Sequence, residues 1–124
     1  MTDEQINIAI AEACGWTCLG QVEGCKPHGY PPDARKPTTK ELLEGYGPSP
    51  WDVPDYCNDL NAMHEAVRKL TDSQRAEFRR NLTKVWTTWY NATRGLFPNH
   101  DDSVNAPADQ RAEAFLRTLN LWKI

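Results

Sequence analysis

PDYCNDLNAMHEA, Pro54 to Ala66, reads as a proline-led turn feeding an amphipathic helix, and its reading decides the fold. Asn58 is placed to cap that helix, with Asp59 adding a favourable charge in the first turn. Leu60, Met63, His64, Val67 and Leu70 then mark one face at offsets of three and four. Its distant companion is QRAEAFLRTLNLW, Gln110 to Trp122. Pro107 opens this closing helix at a tolerated early position. Ala112, Phe115, Leu116 and Leu119 face the core, and Leu121 and Trp122 close it.

Outward from these two stretches the chain reads as helices joined by turn-rich connections. Thr2-Asp-Glu-Gln5 is a capping-box pattern, in which a threonine hydroxyl and a glutamine amide satisfy each other's orphan backbone amides. Ile6, Ala9, Ile10 and Ala13 follow on one stripe, and Gly15 supplies the left-handed residue that ends such a helix. WTCLGQV has the flavour of a strand. Residues 23–54 hold most of the prolines and glycines and form an excursion, with a second capping box at Thr38 to Glu41 ahead of Leu42 and Leu43. A further helix starts near Thr71-Asp72-Ser73. Its stripe of Phe78, Leu82, Val85, Trp86, Trp89 and Tyr90 predicts a long helix, against a competing strand over VWTTWY that Thr83, Thr87 and Thr88 would favour. GLFPNHDDSV, residues 95–104, is a loop. SQRAEF at Ser73 to Phe78 echoes DQRAEAF at Asp109 to Phe115, but the likeness dies within two turns, which marks a shared helix-start composition rather than a repeat.

With 124 residues the chain has room for one core, so residues 1–124 are expected to form a single domain. Fourteen basic against seventeen acidic residues give a net charge of −3, opposite in sign to the basic excess of a dedicated duplex-DNA binder. No apolar run reaches the roughly 18–20 residues of a membrane span. MTDEQINIAIAEACGW is acidic and carries no export-signal pattern, so the expectation is a soluble intracellular chain with reduced thiols. The sequons at Asn81 and Asn91 are then coincidental.

The chemistry-bearing residues fall into groups. Cys14, Cys18, Cys25 and His28 offer a Cys3His donor set for zinc, but without the tight CxxC knuckle of structural sites. Cys14 also falls in the last turn of a helix, where a small buried thiol is the ordinary outcome, so no metal is expected. Cys57 and His64 would suit a nucleophile and base, with Asp59 orienting the imidazole. Two helical turns separate them by roughly 10 Å, so His64 is expected to be a half-buried, hydrogen-bonded histidine. His100-Asp101-Asp102 reads as a solvated turn. There is no phosphate-loop, dinucleotide or HExxH pattern. No catalytic residue and no cofactor are expected.

Bases and aromatics interleave in the excursion: Lys26, His28, Tyr30 and Arg35 with Lys36, followed by Tyr46, Trp51 and Tyr56. Cations for charge and rings for stacking suit a phosphate-bearing planar ligand, and Lys26, His28, Tyr30, Arg35, Trp51 and Tyr56 are the candidate ligand-binding residues. The alternative is that Trp51 and Tyr56 roof the core while the cations solvate the loop. Arg75, Arg79, Arg80 and Lys84 form a second basic group, read as a solvated helix flank.

EACGW at Glu12 to Trp16, PDYCNDLNAMHEA and QRAEAFLRTLNLW, in that order, resemble the phage ABA-sandwich domain family of small phage- or prophage-encoded proteins. The resemblance covers about a third to two-fifths of the chain. It implies an α/β (α+β) fold, a helix-rich three-layer α/β/α sandwich with a small central sheet, together with a viral origin and a place in the host cytoplasm. It supplies no catalytic residues. The excursion after Val22 and the segment from Thr83 to Asn105 depart from the family's pattern. By analogy, the expected function is a non-enzymatic accessory protein that sequesters a host molecule, a nucleotide-derived defence signal, in a homo-oligomer. The alternative is a protein-interaction module that works through an aromatic surface fed by five tryptophans.

Overall fold

The computed structural model describes residues 1–21, 26–94 and 106–123. In chain order it places α1 (Asp3–Ala13), β1 (Thr17–Gly20), β2 (His28–Tyr30), α2 (Thr39–Glu44), β3 (Trp51–Asp52), α3 (Leu60–Arg68), α4 (Asp72–Arg94) and α5 (Ala108–Thr118). The strands form an antiparallel sheet in the order β1-β2-β3, and the fold is α+β. Residues 95–105, including His100, Asp101 and Asp102, lie outside the described residues, as does Cys25.

Three helices begin on the same chemistry. Thr2 with Gln5 and Thr38 with Glu41 form reciprocal capping boxes. Thr71 and Gln74 repeat the arrangement ahead of α4, with Gln74 N–H donating to Thr71 Oγ1 at 3.2 Å and Thr71 N–H to Gln74 Oε1 at 2.9 Å. The helix ends are as local. Gly15 sits at φ 94°, Trp16 N–H returns to Ala11 O and Gly15 N–H to Glu12 O, the paired bonds of a Schellman stop. Asn120, at φ 59°, closes α5 in the same way through Leu121 to Leu116 and Asn120 to Arg117. α5 starts one residue after Pro107, which occupies the cap position itself and contributes no side-chain bond.

α5 is the hub of the core. It packs on α4, α1 and α3, and its alanines 108, 112 and 114 are buried, letting the neighbouring helices approach closely. Phe115, Leu116, Ile10 and Met63 are the largest fully enclosed side chains, each contributing about 1.5–3 kcal/mol from apolar burial. Phe78, Leu82, Val85 and Trp86 supply the α4 face, and Trp86 lies against Tyr90 at 5.2 Å between ring centres. VWTTWY is helical throughout: packing of this stripe against α5 outweighs the strand preference of the threonines. β1 lies against α1 at the side of this helical group.

Three details differ from the expected pattern. On α1 the enclosed face is Ile6, Asn7, Ile10 and Ala11 with the capping residue Cys14, whereas Ala13 is exposed. On α3 the inward residues are Met63 and Ala66, followed by Leu70. Leu60 and His64 are exposed, because the helix meets the core along a narrower stripe than its apolar positions suggest. The cap of α3 is Asp59, not Asn58. Asp59 is the residue in extended geometry, and its Oδ1 accepts from Asn61 and Ala62 N–H, while the Asn58 amide is drawn back to Asp55 Oδ2 at 3.0 Å.

The turn preceding α3 is held to α1 by Asn7. This buried side chain donates through Nδ2 to Asp55 Oδ1 at 3.1 Å and accepts through Oδ1 from Cys57 N–H at 3.2 Å. Both ends of the amide are used, so its burial is compensated. Replacing Asn7 by Ala leaves the Cys57 N–H and one Asp55 oxygen without this partner, and the expected loss is about 1–3 kcal/mol. Urea unfolding should show a lowered midpoint with an unchanged slope; an unaltered midpoint would mean that the turn is held by packing alone.

Candidate functional site

The excursion is built on two pins and a clamp. Tyr30, at the end of β2, is buried and its hydroxyl donates to Pro48 O at 2.8 Å, bridging the start and end of the segment. Val53 N–H donates to Pro27 O at 3.0 Å and extends the β2–β3 pairing. Between these pins, Glu41 of α2 is enclosed and bound on both oxygens by Arg35, Nη1 to Oε1 at 2.8 Å and Nη2 to Oε2 at 3.1 Å. Thr38 N–H adds a third bond to Oε1 at 3.1 Å. Gly47 lies over the carboxylate at φ 117°, where a β-carbon would come to 2.6 Å from Glu41 Oε2, so no other residue fits without displacing the clamp. The Arg35 guanidinium, followed by the Thr38 amide, holds the Glu41 carboxyl down at about 2.

With Glu41 turned inward, the rest of α2 is turned out. Leu42 and Leu43 are 61% and 83% exposed, Tyr46 just beyond the helix is 54% exposed, and Trp51 on the edge strand is 58% exposed. Four large apolar side chains thus stand in water on one short stretch whose backbone is fixed. Scattered exposed apolar residues are normal on a protein surface, but this run is not scattered.

The six residues expected to bind a planar phosphate ligand do not converge. Tyr56 is in the main core, where burial, followed by the neighbouring Cys14 thiol, pushes its ionisation up. Tyr30 is enclosed and committed to Pro48, and Arg35 is committed to Glu41. His28 pairs with Asp52 and Trp51 pairs with Gly29, so the His28 and Trp51 side chains leave the sheet on opposite faces. Lys26 is exposed ahead of β2. Of the two aromatics considered as a roof for the core, Tyr56 is enclosed and Trp51 is not.

The remaining chemical groups are equally dispersed. Cys57 is buried with Sγ toward Asp3 O at 3.9 Å, and burial, followed by Asp3, Asp55, Asp109 and Glu4, pushes its thiol up to about 12. His64 is exposed, so a nucleophile–base contact is not formed between them. Cys14 is buried, Cys18 exposed, and among the described residues no cluster of three or more Cys, His, Asp or Glu side chains is arranged to hold a metal. On α4 the basic flank is partly self-neutralised, Arg75 pairing with Asp72 and Arg80 with Glu77. Among the described residues no helix is long and apolar enough to cross a membrane.

Two grooves lie elsewhere on the surface of the described residues. One, of about 920 Å³, runs between α4 and α5 under Trp89 and Trp122. Its floor is tied by Asn81 to Thr118 at 3.1 Å. Arg117, a charged wall residue, is engaged with Glu113 at 2.8 Å and with the Trp122 face at 5.5 Å. The other, of about 670 Å³, lies between α1 and the segment after α5.

The helix that carries the exposed run was within reach of sequence reading. The capping box at Thr38 starts it and Gly45 stops it at once. Asn7 offered no comparable signal. Comparison with protein-family models, with curated proteins and with solved structures gave no match to this chain.

The Glu41 clamp makes a pH prediction with a definite sign. The carboxyl is depressed in the folded state from its ordinary 4.5 to about 2, so its stabilisation is present above about 4.5 and is lost as the pH falls toward 2. Glu41→Gln should therefore be less stable than wild type at pH 6, with the gap narrowing between pH 4.5 and 2 in urea melts. A gap of constant size across that window would rule out the ion pair as the anchor.

Proposed function

We propose that the chain is a non-enzymatic interaction module that docks on a protein partner through Leu42, Leu43, Tyr46 and Trp51. The observation that carries this reading is the exposure of those four side chains on a segment held by the Arg35–Glu41 clamp and the Tyr30–Pro48 bond. Pre-ordering of this kind lowers the entropy cost of association, because the backbone that presents the anchors is already fixed. Aromatic and aliphatic anchors of this size are the groups that dominate interface energies. The resemblance to small phage proteins, on the motifs quoted above, points to a host or phage protein as the partner and to the host cytoplasm as the place of action.

A nucleotide-derived ligand fits this geometry less well. Tyr56 is enclosed in the core, Tyr30 and Arg35 are engaged with Pro48 and Glu41, and His28 and Trp51 face opposite ways, so the six do not form one site.

Leu43→Asp provides the test. At 83% exposure the substitution should change folding stability by no more than about 0.5 kcal/mol. Burying a leucine is worth about 1.5–3 kcal/mol, so a partner retained stoichiometrically by the immobilised wild-type chain from a bacterial extract should bind the variant at least about tenfold more weakly. Equal retention by wild type and variant would refute the docking surface. Saturable binding of a cyclic or linear nucleotide, undiminished by Leu43→Asp, would return the sequestering function to first place.

A further inference from the structure

The molecule carries a second apolar feature, a groove whose bordering charges complement those of the first. The groove between α1 and the segment after α5 is walled by Ile8, Ala9, Ala13 and Leu121, with Glu12 and Lys123 among its lining residues. It exists because Asn120 turns the chain back at φ 59° and brings the last residues against the start of α1, where Lys123 N–H meets Met1 Sδ at 3.3 Å. Ala9 and Ala13 have no side chain beyond Cβ to fill the space that results. At about 670 Å³ the groove is in the size range, roughly 300–1,000 Å³, of sites that enclose compact ligands.

We infer that this groove receives the α2 projection of a second copy of the same chain. The inference rests on the docking role given above to α2 and names one occupant for it. Three observations carry it. Leu42 and Leu43 stand in water at 61% and 83% exposure, so they do not fill the groove of their own molecule. The projection is apolar at its centre and flanked by Lys40 and Glu44, and the groove is apolar with Glu12 and Lys123 beside it. Lys40 set toward Glu12 and Glu44 toward Lys123 pairs both charges with their opposites, and the reverse setting places like charges together. The complementarity thus selects one orientation.

Projection and groove are different surfaces, so the contact is head-to-tail. Each added copy leaves one projection and one groove open, and the assembly closes into a ring or continues as a chain according to the rotation between neighbours. A contact of one short helix in one groove is small, and its dissociation constant is expected to be on the order of 10–1,000 µM.

Complementation by mixing reads this geometry directly. Leu43→Asp removes the projection and keeps the groove; Ala13→Glu, at an exposed position, obstructs the groove and keeps the projection. Sedimentation analysis of the wild type should show an average mass that rises with concentration above the 14.1 kDa monomer. Each variant alone should remain monomeric to about 1 mM, above the upper end of the expected range. Their equimolar mixture should give a 1:1 dimer and nothing larger, because only one intact junction can form. As a second measure, Lys40→Glu or Glu12→Lys alone should weaken wild-type association by about tenfold or less, and the two together in one chain should restore it. A wild type that stays monomeric to about 1 mM would overturn the inference. So would a wild type that associates while the mixture of variants does not. In either case the docking reading is judged separately, by whether Leu43→Asp still loses a foreign partner.

Discussion

The structure depends on how one buried amide is used. Asn7 sits on the enclosed face of α1, where an unpaired polar group would be costly, and it is bonded at both ends to the turn before α3. That turn carries Tyr56 and Cys57 into the core and delivers Asp59 to cap α3. Asp55 binds Asn7 with one oxygen and Asn58 with the other, so the polar residues of PDYCND form a closed set. A residue pattern rich in Asp, Asn and Cys is thereby spent on architecture. With this turn seated, α1 and α3 are both held against α5, and the small alanines of α5 complete the enclosure.

The same economy explains why the excursion presents apolar groups. A short helix can turn only one narrow side inward, and the side chosen in α2 is Glu41, gripped by Arg35 beneath Gly47. At about 100° per residue, Leu42 and Leu43 then lie about 100° and 200° away and face water. One charge, Glu41, is inside and both leucines are outside, the reverse of an ordinary surface helix. An arrangement of that kind is costly to solubility unless something covers the leucines.

Much of the architecture was legible because it is written locally. The capping boxes at Thr2 and Thr38, the stop at Gly15, the strand at Thr17 to Gly20 and the long stripe of α4 follow from side chains within a few residues of one another. What escaped was set by distant contacts. His64 and Leu60 belong to an apolar pattern on α3, but the width of the surface that α3 meets leaves them in water. The shift of the cap from Asn58 to Asp59 follows from Asp55, which is bonded to Asn7 of α1 on one oxygen and holds the Asn58 amide on the other. Tyr30, Arg35 and Tyr56 carry the right chemistry for a ligand, but the first two are committed to Pro48 and Glu41 and the third is enclosed in the core, which composition does not reveal. The exposed apolar run was half visible: the aromatic content was plain, but the exposure of Leu42 and Leu43 required knowing which way Glu41 points.

The central claim is that the excursion is an ordered platform for exposed apolar groups rather than a loose loop that happens to contain them. Amide hydrogen exchange of the isolated chain tests it most directly. Leu42, Tyr46 and Val53 each donate to a backbone carbonyl, Thr38, Glu41 and Pro27 respectively, at 3.0 Å. The account predicts that these three amides exchange at least about tenfold more slowly than the same residues in an unstructured peptide. Exchange of all three at the unstructured rate, while α5 remains protected, would contradict it.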